Sequence, residues 1–140
     1  MRESIKNAIG SATRELIKNG NKTSITYPNG QTVNYTYDKL AQLESIPGYL
    51  DGNNGNGFAY NPNGAVTNQY FNNNVNYTYT YNNRNWLETV SNDGGRDFEY
   101  RYEYELNGNL DQVQPFPTWA ALEDFGYDGL NRLTSVVYQT

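Results

Sequence analysis

Apolar and polar residues alternate in short runs along most of the chain. Phe98, Tyr100, Tyr102 and Tyr104 are interleaved with Glu99, Arg101, Glu103 and Glu105. Successive side chains of a strand point to opposite faces, so this run predicts a strand with one aromatic and one hydrated, charged face. Val75, Tyr77, Tyr79 and Tyr81, separated by Asn76, Thr78 and Thr80, predict a second. Ile25 to Tyr27, a Pro28-Asn29-Gly30 turn, and then Val33, Tyr35 and Tyr37 predict a hairpin. Residues 4–18 follow a different period. Ile5, Ala8, Ile9, Ala12, Leu16 and Ile17 fall at helical spacing, with Ser4 as a cap and Asn19-Gly20 as a stop. They predict an amphipathic helix within residues 1–20 that covers one face of a β-sheet, although Gly10 weakens it by about 1 kcal/mol relative to Ala. Asp51 to Gly57 reads as a Gly/Asn loop. Gln114 to Leu122, with two prolines, is excluded from any central strand.

The strand pattern recurs. Tyr37, Tyr60, Tyr81, Tyr104 and Tyr127 are spaced by 23, 21, 23 and 23 residues. Two residues before each stands another aromatic: Tyr35, Phe58, Tyr79, Tyr102 and Phe125. Six residues after each stands an aliphatic: Leu43, Val66, Leu87, Leu110 and Leu133. Nine after come Ile46, Val90, Val113 and Val136, with Gln69 in the second copy. Each copy reads as a β-hairpin: an aromatic-x-aromatic strand, a polar turn and a second strand. The expected fold is therefore all-β. It is an array of antiparallel hairpins forming a curved sheet over residues 21–140, with the N-terminal helix packed on it.

Composition narrows the chemistry. The 140 residues contain 22 Asn and 14 Tyr but no Cys and no His. Disulfides, Cys/His zinc sites, thiol nucleophiles and His-dependent triads are thereby excluded. The net charge of −5, made of +3 over residues 1–22 and −8 over the remainder, argues against nucleic acid as a partner. No apolar run reaches the length of a membrane-spanning helix, so no membrane insertion is expected.

The columns, above all Phe125-Gly126-Tyr127-Asp128-Gly129-Leu130-Asn131-Arg132-Leu133-Thr134-Ser135-Val136 and Tyr37-Asp38 with Leu43, resemble the YD repeats of Rhs proteins. The family pattern is roughly Y-x-Y-D-x-x-G-R-L-x-x-V. The resemblance covers about residues 23–138. Asp stands in its column only at Asp38 and Asp128; Arg132 fills the Arg column, which elsewhere holds Gln42, Ala65, Trp86 and Asn109. In Rhs proteins, in the C components of insecticidal toxin complexes and in teneurins, many such repeats wind into a hollow shell, which in bacterial members encloses a toxin segment. The resemblance implies a structural role, an extracellular or secreted setting, and a link to carbohydrate binding.

No catalytic residue, cofactor or metal ligand is expected. Asp93, Asp97, Glu99, Glu103 and Glu105 are numerous enough for calcium. But three of them alternate along a strand, which reads as a solvated face, and no D-x-D-x-D-G loop is present. The candidate ligand-binding residues are Trp86 and Trp119, whose rings could stack on a sugar; both could equally pack over the sheet. The expected partner is a second copy of the chain or another polypeptide, with a glycan as the alternative. Val137-Tyr138-Gln139-Thr140 reads as strand up to the last residue, which suggests a piece of a longer protein.

Overall fold

The structure is a computed structural model and describes residues 3–6, 13–16, 20–92, 98–116 and 122–139. Every element among them is a strand, and the strands pair antiparallel. β1 (Glu3–Lys6), β2 (Thr13–Leu16), β3 (Lys22–Thr26) and β4 (Thr32–Asn34) form a four-stranded sheet in chain order. β5 (Thr36–Tyr37) and β6 (Leu43–Ser45) form a two-stranded ladder. β7 (Phe58–Tyr60), β8 (Val66–Tyr70), β9 (Asn76–Tyr81), β10 (Leu87–Asn92), β11 (Glu99–Tyr104), β12 (Leu110–Phe116), β13 (Leu122–Tyr127) and β14 (Leu133–Gln139) follow one another as an eight-stranded meander.

The chain divides into two compact units, residues 1–60 with 69–74, and residues 61–68 with 75–140. In the first, the Gly/Asn segment is a folded loop. Ile46 and Leu50 exchange backbone hydrogen bonds (3.0 and 2.8 Å), and the Gly57 N–H donates to the Glu44 carbonyl at 2.9 Å. The Tyr70 N–H then donates to the Gly57 carbonyl at 2.8 Å, and the Gly52 N–H to the Tyr70 carbonyl at 3.2 Å. In the second unit the hairpins run in regular succession, with a register shift at the turn end of the β9/β10, β11/β12 and β13/β14 ladders.

Two expectations are corrected. The segment expected to be an N-terminal helix carries a strand pair: Glu3 pairs with Leu16, Ile5 with Arg14, and Arg14 in turn with Ile25 of β3. An isolated amphipathic helix of this length is marginal, and Gly10 weakens it further. The edge of β3, by contrast, offers a row of backbone donors and acceptors that only a strand can pair. The exclusion of Gln114 onward from a central strand is also overturned, since β12 lies between β11 and β13 and continues through Pro115, which pairs with Tyr100. Proline's fixed φ of about −65° lies within the extended region, so it costs β12 only the ladder donor that it lacks. Among the described residues the β12/β13 register covers Gln112 and Val113.

Burial is shallow. Among the described residues only Ser45, Gly57 and Val113 are buried. Most aromatics are half-buried, and Tyr100, on the expected inner face, is 39% exposed. With burial this shallow among the described residues, backbone and turn hydrogen bonds carry much of the architecture.

Candidate functional site

The turns show what the repeated residues do. In all five copies the residue after the Tyr donates its N–H to the carbonyl four residues on: Asp38 to Gln42, Asn61 to Ala65, Asn82 to Trp86, Glu105 to Asn109 and Asp128 to Arg132, at 2.9–3.0 Å. Its own carbonyl accepts from the residue three further on, which is Ala41, Gly64, Asn85, Gly108 or Asn131. That position always has positive φ, from 59° at Asn131 to 95° at Gly108. Gly and Asn enter this region at least cost, which accounts for four of the five copies; Ala41, at φ 63°, is the exception. The side chain at the Asp column closes the turn a second time. Asp38 Oδ1 accepts from the N–H groups of Leu40 and Gln42, Asn82 Oδ1 from Arg84 and Trp86, and Asp128 Oδ1 from Leu130 and Arg132, all within 2.8–3.1 Å. Asn61 does the same toward Asn63 and Ala65. Asp and Asn share the required acceptor at the required reach, so they interchange. Glu105 is one carbon longer, and Asn107 Oδ1 receives the Asn109 N–H in its place, at 2.9 Å.

Arg132 explains the Arg column. Its Nε donates to Asp128 Oδ2 at 2.7 Å, across the turn. The Asp128 carboxyl is held below its ordinary range chiefly by the Arg132 backbone N–H, with the Arg132 side chain next. Where the chain has Asn61 or Asn82, the partner position carries uncharged Ala65 or Trp86.

The Tyr column serves the neighbouring hairpin. The Tyr37 hydroxyl donates to the Lys22 carbonyl (2.7 Å), Tyr60 to Leu43 (2.6 Å), Tyr81 to Val66 (2.7 Å) and Tyr127 to Leu110 (2.9 Å). Leu43, Val66 and Leu110 belong to the aliphatic column of the preceding repeat. Phe stands two residues earlier in two copies, whereas these four positions use the hydroxyl donor that only Tyr carries. Burial raises the hydroxyl pKa of Tyr37, Tyr60, Tyr79, Tyr81, Tyr102 and Tyr104, with neighbouring Tyr or Asp38 charges adding to it in all but Tyr81. A raised folded-state pKa gives stability that is whole below the unfolded value and is lost as pH rises through the folded one. We therefore expect unfolding free energy to be insensitive to these groups below pH about 10 and to fall steeply above it. Far-ultraviolet dichroism followed together with tyrosinate absorbance checks this. Tyrosine ionisation complete before any loss of strand signal would refute it.

Adjacent turns of the second unit are laced together. Asn85 Oδ1 accepts from Asn61 Nδ2 (3.0 Å), and Asn131 Oδ1 from Asn107 and Asn109 Nδ2 (3.2 Å each). Between them, Arg84 Nη1 donates to the Leu106 carbonyl at 2.9 Å. The Trp86 ring has the Arg84 guanidinium 4.9 Å from its centroid, the Tyr104 ring at 5.3 Å, and Gly108 against its edge, where a Cβ would sit 3.1 Å away. Trp86 thus joins the third turn to the fourth. It also lines an open groove of about 420 Å³, with Arg84, Glu88, Tyr102, Glu103 and Tyr104. Of the two sequence-derived ligand candidates, Trp86 stands in this groove; Trp119 lies outside the described residues. Arg84, Asn85 and Asn131 were not singled out from sequence, although their place in or beside the Gly/Asn column was visible. No group of Cys, His, Asp and Glu that could hold a metal occurs among the described residues, and they include no helix long and apolar enough to cross a membrane.

No protein-family model and no curated protein matches the chain. Solved structures do. A crystal structure of TcdB2-TccC3-Cdc42 superposes with a TM-score of 0.73 at 19% identity, over 92% of this chain and 7% of that one. A crystal structure of TcdB2-TccC3 gives 0.73 at 20% identity with the same coverage. The Photorhabdus luminescens Tc holotoxin pore with a TccC3 variant gives 0.68 at 19%, again over 92% and 7%. This chain thus spans a small part of the length of these chains. The chain shares its fold with Tc toxin complex chains, in keeping with a YD-repeat fold.

Proposed function

We propose that this chain is a non-catalytic, structural YD-repeat segment, a short length of shell-type scaffold that works by holding another polypeptide or a copy of itself. One observation carries the reading. The residues that define the repeat direct their polar groups into the sheet's own backbone: tyrosine hydroxyls onto carbonyls of the preceding hairpin, Asp and Asn carboxyl or amide oxygens onto turn N–H groups. Groups committed in this way are unsuited to acid–base or nucleophilic work, which needs a proton donor or acceptor facing a substrate. The fold likeness to parts of multi-chain Tc toxin complexes supports the same reading.

A sugar-binding reading has one specific observation in its favour, the groove in which the Trp86 and Tyr104 rings stand near Glu88 and Glu103. One experiment separates the two. Light scattering gives the solution mass of the chain alone and with a reduced, carboxymethylated test protein as a model unfolded polypeptide, and a glycan array is run in parallel. Association with itself or with the unfolded chain, without saturable glycan binding, is the expected result. A strict monomer that ignores the unfolded chain and binds one glycan class would replace the scaffold reading with the second.

A further inference from the structure

We propose that the Trp86 groove takes the cationic side chain of a lysine- or arginine-bearing polypeptide that crosses the turn ends of β9 to β12 in extended form. The proposal rests on the scaffold reading and deepens it by naming the partner's chemistry and its contact.

Three observations carry it. First, the groove holds two carboxylates that nothing answers. Glu88 lies at the register shift between Leu87 and Thr89, and Thr89 faces Arg101 on β11. Glu88 and Glu103 therefore come to the same end of the β10/β11 pair, and both line the groove. Both are exposed, and neither forms an ion pair among the described residues, where Glu99 has Arg101 and Asp128 has Arg132. Like charges on neighbouring strands oppose each other, and a cation set between them relieves both. Arg84 is committed elsewhere: its guanidinium lies over the Trp86 ring, and its Nη1 donates to the Leu106 carbonyl at 2.9 Å.

Second, the aromatic part suits a cation better than a flat ring. The Trp86 and Tyr104 planes are inclined at 51° with their centroids 5.3 Å apart. A sugar ring cannot lie flat on both. A positive charge is attracted to the face of either ring, and the alkyl stem that carries it packs along them. Tyr104 adds a hydroxyl oxygen. Tyr37, Tyr60, Tyr81 and Tyr127 commit theirs to earlier carbonyls; among the described residues Tyr104 has no such acceptor, so its oxygen is available to an ammonium or guanidinium donor.

Third, the surroundings fit a passing chain. Leu106, also lining the groove, is 87% exposed and offers an apolar contact to a residue beside the cation. The groove is open, so it receives one side chain without having to enclose a whole molecule. The net charge of −5 draws a basic partner from a distance.

The test uses the full chain and a fluorescein-labelled, terminally blocked peptide of repeated Ser-Lys-Leu, followed by fluorescence anisotropy. Saturable binding at one site is expected, weaker at higher salt. The same peptide with Gln in place of Lys should not bind. Glu88→Gln and Glu103→Gln, at exposed positions that leave the fold intact by far-ultraviolet dichroism, should each raise the dissociation constant about threefold, and together about tenfold. Glu44→Gln removes the same charge outside the groove and should leave the constant unchanged. Failure of the Lys peptide to bind, equal binding of the Gln peptide, or a loss at Glu44→Gln as large as at the groove positions overturns the proposal. If any of these occurs while the chain still associates with itself or with the unfolded test protein, the scaffold reading stands on another surface. If all association is absent, both fall.

Discussion

Tyr81→Ala is expected to lower the unfolding free energy by about 3–5 kcal/mol, and Tyr81→Phe by about 1–2 kcal/mol. The larger figure combines loss of a half-buried ring with loss of its hydroxyl bond to the Val66 carbonyl. The smaller isolates the hydroxyl and leaves that carbonyl without its tyrosine donor. Thr80, the exposed neighbour whose hydroxyl meets only Thr89, should cost less than about 1 kcal/mol as Ala. Urea denaturation of the three variants checks the order. Equal losses at positions 80 and 81 would remove the inner-and-outer assignment of β9. A Phe variant as stable as wild type would mean that the hydroxyl column stabilises nothing.

Gly57→Ala should be comparably damaging for a different reason. A Cβ at Gly57 would fall inside the contact radius of the Leu50 carbonyl, against backbone that has no flexible end to swing aside. Leu50 is fixed by its exchange of hydrogen bonds with Ile46, and Gly57 by donation to Glu44 and acceptance from Tyr70. Relief requires breaking part of that network, at about 3 kcal/mol or more. Gly55→Ala is the comparison. Its φ of 91° is strained for Ala, but nothing lies within 4 Å of the added carbon, so the cost should stay near 1–2 kcal/mol, on the order expected for strain alone. Thermal melting of the two variants decides the matter; a Gly57→Ala protein that melts with wild type would mean that the loop is not held as described.

The hairpins were legible because their signals are local. Tyr35 and Tyr37, or Tyr102 and Tyr104, lie two residues apart on one strand, and the Gly/Asn column sits within the same turn as its Tyr. The constant Tyr at one aromatic position, against Tyr or Phe at the other, was read only as a mark of the repeat, and the hydroxyl's task came from the structure. Its acceptor did not show, because Val66 and Tyr81 are in different hairpins. The Asn61–Asn85 and Asn107–Asn131 lacing was hidden for the same reason. At the N-terminus the local period of Ile5, Ile9, Ala12 and Leu16 suggested a helix, and the ladder available on β3 outweighed it. At Pro115 the rule against central-strand proline weighed the missing N–H, whereas the fixed φ still allows an extended strand. Trp86 was readable as an aromatic near a turn. Its contact with Gly108, one repeat later, required the fold.

Four of the five column tyrosines point their hydroxyls the same way along the chain: each donates to an earlier carbonyl, from Tyr37 to Lys22, Tyr60 to Leu43, Tyr81 to Val66 and Tyr127 to Leu110. During synthesis the acceptor therefore always leaves the ribosome before its donor. Each new hairpin finds its docking point already made and, in docking, secures the one before it. The array can be laid down in order at the pace of translation, with only the newest hairpin waiting for its fastener at any moment.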